Sequence, residues 1–276
     1  MQDEMAEQEP VYLCQVREGL SCGACCGLYN VADPSREYLS SELARRTEEF
    51  AGLPRTENAI DAFSRETLER RNIYRRPYKE FYHCPFLGLV GEGRDRPGCL
   101  LHPLAAGNDG KDLRGLSWYG AMACRTYFCP SHGGLSPRYA LAVRESCDDW
   151  HLYGLAVTET AMLECFFAQV EKRLPALVAP ERFREDLRAR EALLKFLRLK
   201  VSWPHRLPGE NRLANYFFND GLYPRPKVPY ALLGTQPSDL DPVLSALCSF
   251  FPDRESLEDG LDMISAAVCE LAAALA

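Results

Sequence analysis

The chain has 276 residues, enough for one large domain or two ordinary ones, and its 46% hydrophobic and 26% charged residues are typical of a globular protein. A net charge of −7 gives no electrostatic support to a role dominated by nucleic-acid binding. No apolar run reaches the roughly 18 residues that a membrane span needs, and the acidic segment 1–10 does not resemble a signal peptide. We therefore expect a cytoplasmic protein with no membrane partner.

Two helices are predicted between the early and middle cysteines. The first begins at Asp33-Pro34, with Asp33 as its cap, and ends at Gly52-Leu53-Pro54. The second runs from about residue 56 to residue 76, and its basic end at 70–76 is interpreted as a solvated face. The residues of this second helix that we expect to face inward are Ile60, Phe63 and Tyr74.

A short β-hairpin is predicted after these helices. The apolar runs 86–90 and 99–101 flank a connection rich in glycine and proline, which is typical of two paired strands. Such a hairpin would bring Cys84 and Cys99 to the same end. The residue spacing thus predicts that two cysteines distant in sequence lie close together.

Helical patterns dominate the C-terminal half. The predicted helices span residues 136–150, 158–174, 180–201 and 257–275, the third with Phe183, Leu187, Leu194 and Leu197 on one face and the last capped by Asp253. Residues 202–242 contain seven prolines and are predicted to be ordered but irregular. We therefore predict a mainly α fold, in which an irregular, cysteine-rich, metal-binding N-terminal half (1–134) with a short β-hairpin packs against a helical half (135–276).

Cysteines carry the main functional signal. The chain has twelve, and eight of them lie in the first 129 residues: Cys14, and seven more in compact clusters at 22–26, 83–85, 99–103 and 124–129. Thiolates at short spacing suit zinc, copper(I) or iron–sulfur clusters rather than magnesium or calcium. Disulfides are the main alternative, but they persist mostly in oxidising compartments and in small scaffolds that lack a core. Metal ligation by the N-terminal set is the prediction.

The spacing bears on how many metals are bound. Cys22 and Cys25 have the two-residue spacing of zinc knuckles and iron–sulfur loops, and Gly23 allows the tight turn between them. Cys25 and Cys26 are adjacent, and neighbouring side chains diverge, so a pair rarely closes on one ion. Eight thiolates also exceed the needs of one zinc or one four-iron cluster. Either some cysteines are spare, or a cluster or two-metal arrangement exists, and the adjacent pair favours the latter.

Histidines and the remaining cysteines have less specific roles. His83, His102 and His132 each lie within three residues of a cysteine. Each is a candidate imidazole ligand, and the alternatives are a hydrogen bond to a thiolate or simple packing. Asp148-Asp149 beside His151 is interpreted as a solvated helix face. Four cysteines in apolar helical surroundings are predicted to be core residues: Cys147, Cys165, Cys248 and Cys269.

The order of the motifs resembles a known family. Cys-Gly-x-Cys-Cys, then Cys-Pro-x-Leu, then Cys-x-x-x-Pro, then Cys-Arg-x-Tyr-x-Cys is similar to the YkgJ-type cysteine-cluster proteins, described as zinc- or iron-chelating. The resemblance covers about residues 14–130. It implies a metal-binding set of Cys14, Cys22, Cys25, Cys26, Cys84, Cys99, Cys124 and Cys129. Two departures are the seven residues between Cys14 and Cys22 and the Leu-His-Pro at 101–103.

Two classes of function remain open. The first is a metal-binding protein, of zinc or an iron–sulfur cluster, with no reaction that the sequence names. The alternative is an iron–sulfur enzyme, redox-active or similar to flagellin lysine N-methylase, whose cysteine cluster the chain also resembles. No independent catalytic motif is present. An enzyme would need an open coordination position on the metal, or a pocket between the cluster and the helical half. The lining candidates are then Tyr119, Arg125, Tyr127 and His132.

Overall fold

The computed structural model describes residues 11–69, 76–216 and 225–276, and the prediction of a mainly α fold is confirmed within them. Its α-helices are α1 (Arg36–Ala51), α2 (Glu57–Glu69), α3 (Gly120–Thr126), α4 (Ser131–Gly134), α5 (Pro137–Ser146), α6 (Trp150–Val157), α7 (Thr160–Glu171), α8 (Arg182–Glu185), α9 (Leu187–Ser202), α10 (Asp241–Ala246) and α11 (Arg254–Leu275). No helix among these residues is long and apolar enough to cross a membrane.

Two antiparallel hairpins accompany the helices. Their strands are β1 (Gln15–Arg17), β2 (Leu20–Ser21), β3 (Leu87–Val90) and β4 (Arg96–Cys99). The β3–β4 hairpin confirms the predicted one, but β4 begins three residues before the predicted run, because Gly91 and Arg94 close the connection with φ of 93° and 49°. The β1–β2 pair was not predicted. Ser21 of β2 donates a hydrogen bond of 2.7 Å to the carbonyl of Pro97, which joins the two hairpins.

The two N-terminal helices form as predicted, with one correction. The cap of α1 is Ser35, whose hydroxyl accepts a hydrogen bond from the backbone N–H of Tyr38 at 3.3 Å, and not Asp33. Asp33 instead accepts a bond of 2.9 Å from the N–H of Ser35 and so orders the residue that caps the helix. Ile60 and Phe63 of α2 are buried as predicted. The predictions for Tyr74 and the basic segment at 70–75 fall outside the described residues.

Aspartate caps change the bounds of two of the predicted helices. The Asp149 carboxylate accepts a hydrogen bond from the N–H of His151 and caps the start of α6. The helix predicted over 136–150 therefore ends earlier, with α5 at Ser146. Asp149 is thus a helix cap and not part of a solvated helix face. Asp186 accepts from the N–H of Arg188 and starts α9 in the same way. Because α9 restarts there, the inward position predicted for Leu187 is wrong, and its side chain is 75% exposed. The buried stripe of α9 instead runs through Ala189, Ala192, Leu193, Phe196 and Leu197.

The buried apolar side chains form two core clusters. The larger lies among α5, α7, α9, α10 and α11, where the rings of Phe166 and Phe196 stack with centroids 3.5 Å apart. The smaller lies among α1, α2 and β3, around Phe50 and Phe86. Helix α6 supplies side chains to both clusters, and Cys22 packs against both. The early cysteines therefore lie where the two clusters meet, while the division of the chain at residue 134 stays a prediction.

The last helix and the proline-rich segment agree with the sequence. A reciprocal capping box of Asp253 and Ser256 starts α11, which buries its predicted stripe from Leu257 to Leu271. The described parts of the segment between α9 and α10 contain no helix or strand beyond one β-bridge, from Arg206 to Ser249. That segment is irregular, as predicted.

A buried ion-pair network anchors this segment. The Lys200 side chain is fully buried on α9, and its ammonium donates to a Glu159 carboxylate oxygen at 2.6 Å and to the Ala246 carbonyl at 2.9 Å. Arg225 donates to the same carboxylate oxygen at 2.8 Å. A buried charge is costly unless it is paired and hydrogen-bonded, and these contacts pair Lys200. The network holds α9, the start of α7 and the described end of the irregular segment together.

The C-terminal cysteines do not all lie in the core. Cys147 and Cys248 are buried, as predicted, and Cys165 is half-buried at the edge of the larger cluster. Cys269 is exposed, so the prediction for it is wrong. The buried stripe of α11 passes through the neighbouring Val268 and leaves Cys269 on the outer face.

Candidate metal centre

The eight N-terminal cysteines lie in two adjacent groups in the fold. Within each group, negative charge on one sulfur raises the pKa of others, so the thiols are near neighbours. The first thiol group is Cys14, Cys22, Cys25 and Cys129. The second thiol group is Cys26, Cys84, Cys99 and Cys124. The fold thus brings these eight cysteines into one region, and their role as ligands stays a prediction.

The first thiol group is positioned by the β1–β2 hairpin and the start of α4. The backbone N–H of Cys22 donates to the carbonyl of Cys14 at 2.7 Å, which extends the hairpin and sets these two residues side by side. Cys25 follows in a short 3-10 helix, Ala24–Cys26. Cys129 lies just before α4, and His132 of α4 places its Nε2 3.5 Å from the Cys14 sulfur. The backbone N–H of His132 also donates to the Cys129 carbonyl at 3.0 Å, so His132 links Cys14 to Cys129.

A small cavity lies at the centre of the first thiol group. Its volume is about 20 Å³, and all four sulfur-bearing residues of the group and His132 line it. A space of this size holds about one water molecule or one ion. The other lining residues are Leu13, Ala24, Phe81, Tyr127, Val157, Thr158, Asn215 and Tyr216. Side chains from both halves of the chain therefore close over the thiols.

The second thiol group is positioned by the β3–β4 hairpin and α3. The N–H of Cys84 donates to the carbonyl of Cys26 at 2.9 Å, so these residues adjoin. The hairpin pairs Leu87 with Cys99, which brings Cys99 to the end of β3 that follows Cys84, as predicted. Cys124 of α3 completes the group, with its sulfur 3.2 Å from the Ser117 hydroxyl. Cys124 is exposed, whereas Cys84 is buried.

Backbone N–H groups point at many of the sulfurs. In four of the eight cysteines the sulfur accepts a hydrogen bond from the N–H two residues further along the chain. These pairs are Cys22 with Ala24, Cys84 with Phe86, Cys99 with Leu101, and Cys129 with Ser131. Such bonds favour the thiolate over the thiol, because the N–H dipole stabilises the negative charge. The local turns are therefore shaped to hold thiolates, and each group has two of them.

Burial opposes ionisation of the same sulfurs. Burial raises the pKa of Cys14 to about 12, and negative charge on Cys25 and Cys129 contributes to that rise. Burial likewise raises the pKa of Cys84 to about 12 and of Cys99 to about 11. Gathering several thiolates in a buried place is thus unfavourable without a compensating cation. A divalent metal ion would supply that charge and displace the protons.

Cys25 and Cys26 share a contact where the two groups adjoin. Their thiols hydrogen-bond each other, which lowers the pKa of Cys25 and raises that of Cys26. The contact therefore joins two adjacent residues at the place where the two thiol groups meet.

His83 is held by hydrogen bonds rather than directed to a metal. Its Nδ1 lies 2.7 Å from the carbonyl of Gly27, to which it donates, and its Nε2 accepts from the Arg46 guanidinium at 2.6 Å. These partners fix the neutral Nδ1–H tautomer and occupy both ring nitrogens. Arg46 is itself 1% exposed and donates to the carbonyl of Cys84 at 3.0 Å. The pair places a positive charge beside the second thiol group.

The other two histidines are placed differently. His102 accepts a hydrogen bond on Nδ1 from the N–H of Leu104 at 3.2 Å. His132 lines the cavity and contacts Cys14, so it lies beside the first thiol group in the position of a ligand or a thiolate partner. The ring of His132 therefore adjoins a thiol of the first group.

The pocket-lining residues predicted for an enzyme are only partly gathered. Tyr127 and His132 line the cavity. The ring of Tyr119 packs against Tyr82 with centroids 4.7 Å apart, and Arg125 pairs with Asp112 at 2.6 Å. Sequence reasoning missed Tyr82, whose phenol hydrogen-bonds the sulfur of Cys84. It also missed Thr158, Asn215 and Tyr216, which no motif connects to the cysteines.

The fit to a metal depends on the donors and their surroundings. Among the residues that the structure describes, no three His, Cys, Asp or Glu side chains are placed to hold one metal ion together. Each group nevertheless supplies four thiols, the number of ligands in a tetrahedral zinc site. The type and number of the donors therefore suit a thiolate-bound metal, whereas the sulfurs as placed do not converge on one point.

Comparisons with protein-family models, with curated proteins and with solved structures gave no match to this chain. The resemblance to the YkgJ-type family, and the ligand set that it implies, therefore stay predictions. A functional hypothesis depends on the arrangement of the thiols themselves.

Proposed function

We propose that this chain is a metal-binding protein that holds zinc or an iron–sulfur cluster through its eight N-terminal cysteines. The observation that carries the proposal is the gathering of these cysteines, from Cys14 to Cys129, into two adjacent groups around turns with N–H groups aimed at sulfur. Disulfide-linked or purely apolar cysteines have no need of such turns. The resemblance to the YkgJ-type family supports the same function.

Metal binding of this kind would also stabilise the fold. The N-terminal half has short strands and long connections, for example residues 100–113 between β4 and the turn that precedes α3. A structural zinc site contributes about 10–16 kcal/mol in small domains, which compares with a total stability of about 5–15 kcal/mol for an ordinary domain. Loss of the metal is therefore expected to unfold much of the segment that connects the cysteines.

The geometry favours binding over catalysis. The iron–sulfur enzyme alternative, redox-active or similar to a protein-lysine N-methyltransferase, needs room for a substrate beside the metal. The cavity at the first thiol group measures about 20 Å³, which suits an ion and not an organic side chain. Metal chelation is accordingly the function that we propose, because the described residues leave no room for an organic substrate in this cavity.

Anaerobic purification followed by elemental analysis and a visible absorption spectrum tests this function. We expect the purified natural chain to contain bound metal. The protein should be colourless if it holds zinc, and brown with iron and acid-labile sulfide if it holds an iron–sulfur cluster. Cys84→Ser should lower the metal content and the soluble yield, because Cys84 is buried within the second thiol group. Cys269→Ser is the matched control and should leave the metal content unchanged, since Cys269 is exposed on α11. Full metal retention in Cys84→Ser would contradict the assignment of Cys84 as a ligand.

A further inference from the structure

We propose that a second cavity, away from the thiol groups, binds a small organic carboxylate, with the apolar body of the ligand on the cavity floor and its carboxylate on Arg55. The cavity has a volume of about 330 Å³. It lies between the C-terminal end of α1, the β3–β4 hairpin and residues 100–106, and no cysteine belongs to its described lining. This ligand site is therefore separate from the proposed metal centre.

The size and lining of this cavity suit an organic body. A cavity of about 150 Å³ holds a benzene molecule, and pockets for small organic ligands begin at about 300 Å³. Its apolar part is formed by Phe50, Leu89, Leu100, Leu104 and Ala105. Leu104 is 88% exposed, so an apolar group bound here would remove leucine surface from water, which is favourable.

The guanidinium of Arg55 is held firmly in the wall of the cavity. Its Nε donates to the Asn108 side-chain oxygen at 2.9 Å, and its Nη1 donates to the carbonyls of Phe50 at 2.8 Å and Leu53 at 2.6 Å. Its Nη2 donates to the Ala106 carbonyl at 3.2 Å. The guanidinium also lies over the ring of Phe50, 4.4 Å from the ring centroid. A ligand therefore meets a cation that is already in place, which reduces the entropy cost of binding.

The positive charge of Arg55 has no close counter-charge. All the acceptors named above are neutral, and Arg55 forms no ion pair with a carboxylate of the described residues. Burial lowers the pKa of Arg55, so the nearby Asp109 carboxylate does not offset the loss of solvent. A guanidinium has five N–H donors, and these four hydrogen bonds leave one N–H of Nη2 for a ligand. An anion at this position would supply the missing charge.

The rim of the cavity narrows the class of anion. Glu18 and Glu92 lie there, together with Arg94, which pairs with Glu48. Two carboxylates repel a dianion, such as a phosphate ester, more strongly than a monoanion. One available N–H also matches one carboxylate oxygen. A monocarboxylate with an apolar body is therefore the ligand class that fits this cavity.

Gly107 keeps the space beside the Arg55 Nη2 open. Its φ is 79°, and an added Cβ would lie 2.9 Å from Nη2. Gly110 of the same loop has a φ of 77°, and no atom lies within 4 Å of an added Cβ there. Alanine therefore brings a similar backbone strain at both positions, but it crowds the guanidinium only at position 107.

The test titrates the full-length protein with phenylacetate and follows the methyl resonances of Leu89, Leu100 and Leu104 by NMR. Neutral phenylacetamide and cationic phenethylamine have nearly the same shape, so they separate the effect of charge from that of the apolar body. The variants are Gly107→Ala, its matched control Gly110→Ala, and Arg55→Gln, which removes the cation. Circular dichroism checks that each variant keeps its helices.

We expect saturable binding of phenylacetate that shifts these methyl resonances. Phenylacetamide and phenethylamine should bind about tenfold more weakly or worse, because a hydrogen bond between charged groups is stronger than one between neutral groups. Gly107→Ala and Arg55→Gln should weaken phenylacetate binding by a similar factor, and Gly110→Ala should leave it unchanged.

Three results would overturn the ligand site and leave the proposed metal-binding function untouched. They are equal binding of the acid and its amide, equal affinity in the two glycine variants, and no shift of these resonances at millimolar phenylacetate. Should Arg55→Gln fail to fold, the two glycine variants and the three probes still decide the question.

Discussion

Replacing Gly27 by alanine is expected to separate the chain segments that carry the second thiol group. Gly27 follows Cys26 with φ of 77°, and the backbone of Tyr82 and His83 packs directly against it. An added Cβ would lie 1.9 Å from the carbonyl oxygen of Tyr82 and 2.9 Å from the Cα of His83. No side-chain rotation relieves contacts of this kind, because both neighbours are backbone atoms.

The magnitude has two parts. The left-handed backbone costs about 1–2 kcal/mol for a residue with a side chain. Moving residues 82–83 away also weakens two hydrogen bonds, from the N–H of Cys84 to the Cys26 carbonyl and from His83 to the Gly27 carbonyl. A buried group that loses its partner costs about 1–3 kcal/mol. We therefore expect Gly27→Ala to lower the free energy of unfolding by about 4 kcal/mol or more, which is exceptional for a single substitution.

Gly110 offers a matched control. Its φ is also 77°, but no atom would lie within 4 Å of an added Cβ. Gly110→Ala should thus show only the backbone cost of about 1–2 kcal/mol. Urea denaturation followed by circular dichroism gives both free energies, and elemental analysis gives the metal retained. Equal losses in the two variants, with metal content unchanged in Gly27→Ala, would refute the packing argument at the second thiol group.

Two further predictions concern buried charge and proton release. Glu159→Gln leaves Lys200 buried without a counter-charge and should lower the free energy of unfolding, measured by urea denaturation, by about 3–5 kcal/mol. The control, Glu191→Gln, removes an exposed ion pair and should lower it by less than about 1 kcal/mol. Similar losses in the two variants would contradict a stabilising role of the buried network. Because burial raises the pKa of Cys14 and Cys84 to about 12, zinc must displace their protons, and its affinity should rise between about pH 6 and about pH 8. Chelator competition measures this rise, and a flat profile would count against thiolate ligation.

The sequence predicts helix existence better than helix boundaries. Apolar periodicity located α7 and α11 and their buried faces. It extended α5 to Trp150, missed the rest of α6, and joined α8 to α9, because a stripe of apolar residues does not reveal that Asp149 or Asp186 caps a new helix. The β1–β2 hairpin has strands of three and two residues, too short for any alternation to be visible. Local patterns therefore gave the elements, and side-chain capping decided where they end.

The candidate site was predictable in composition and not in arrangement. Short spacing pointed to all eight cysteines, and the hairpin between 86 and 101 predicted that Cys84 and Cys99 would adjoin. The grouping depends on contacts such as that of Cys14 with His132, which no local pattern encodes. The contacts of Arg46 and Tyr82 with Cys84 could not be predicted from the sequence for the same reason, since both depend on tertiary packing.

The long span of the first thiol group has a consequence for biosynthesis. The contact between Cys14 and His132 joins residues 118 positions apart, and Cys124 and Cys129 are the last cysteines of their groups. At a ribosomal rate of about 5–20 residues per second, the early thiols emerge on the order of ten seconds before their partners. During that interval no complete set of four exists, so Cys22, Cys25 and Cys26 are open to oxidation or to capture by another metal. Under the proposed metal-binding function, loading of the site would therefore depend on a reducing environment during synthesis, before the chain has finished folding.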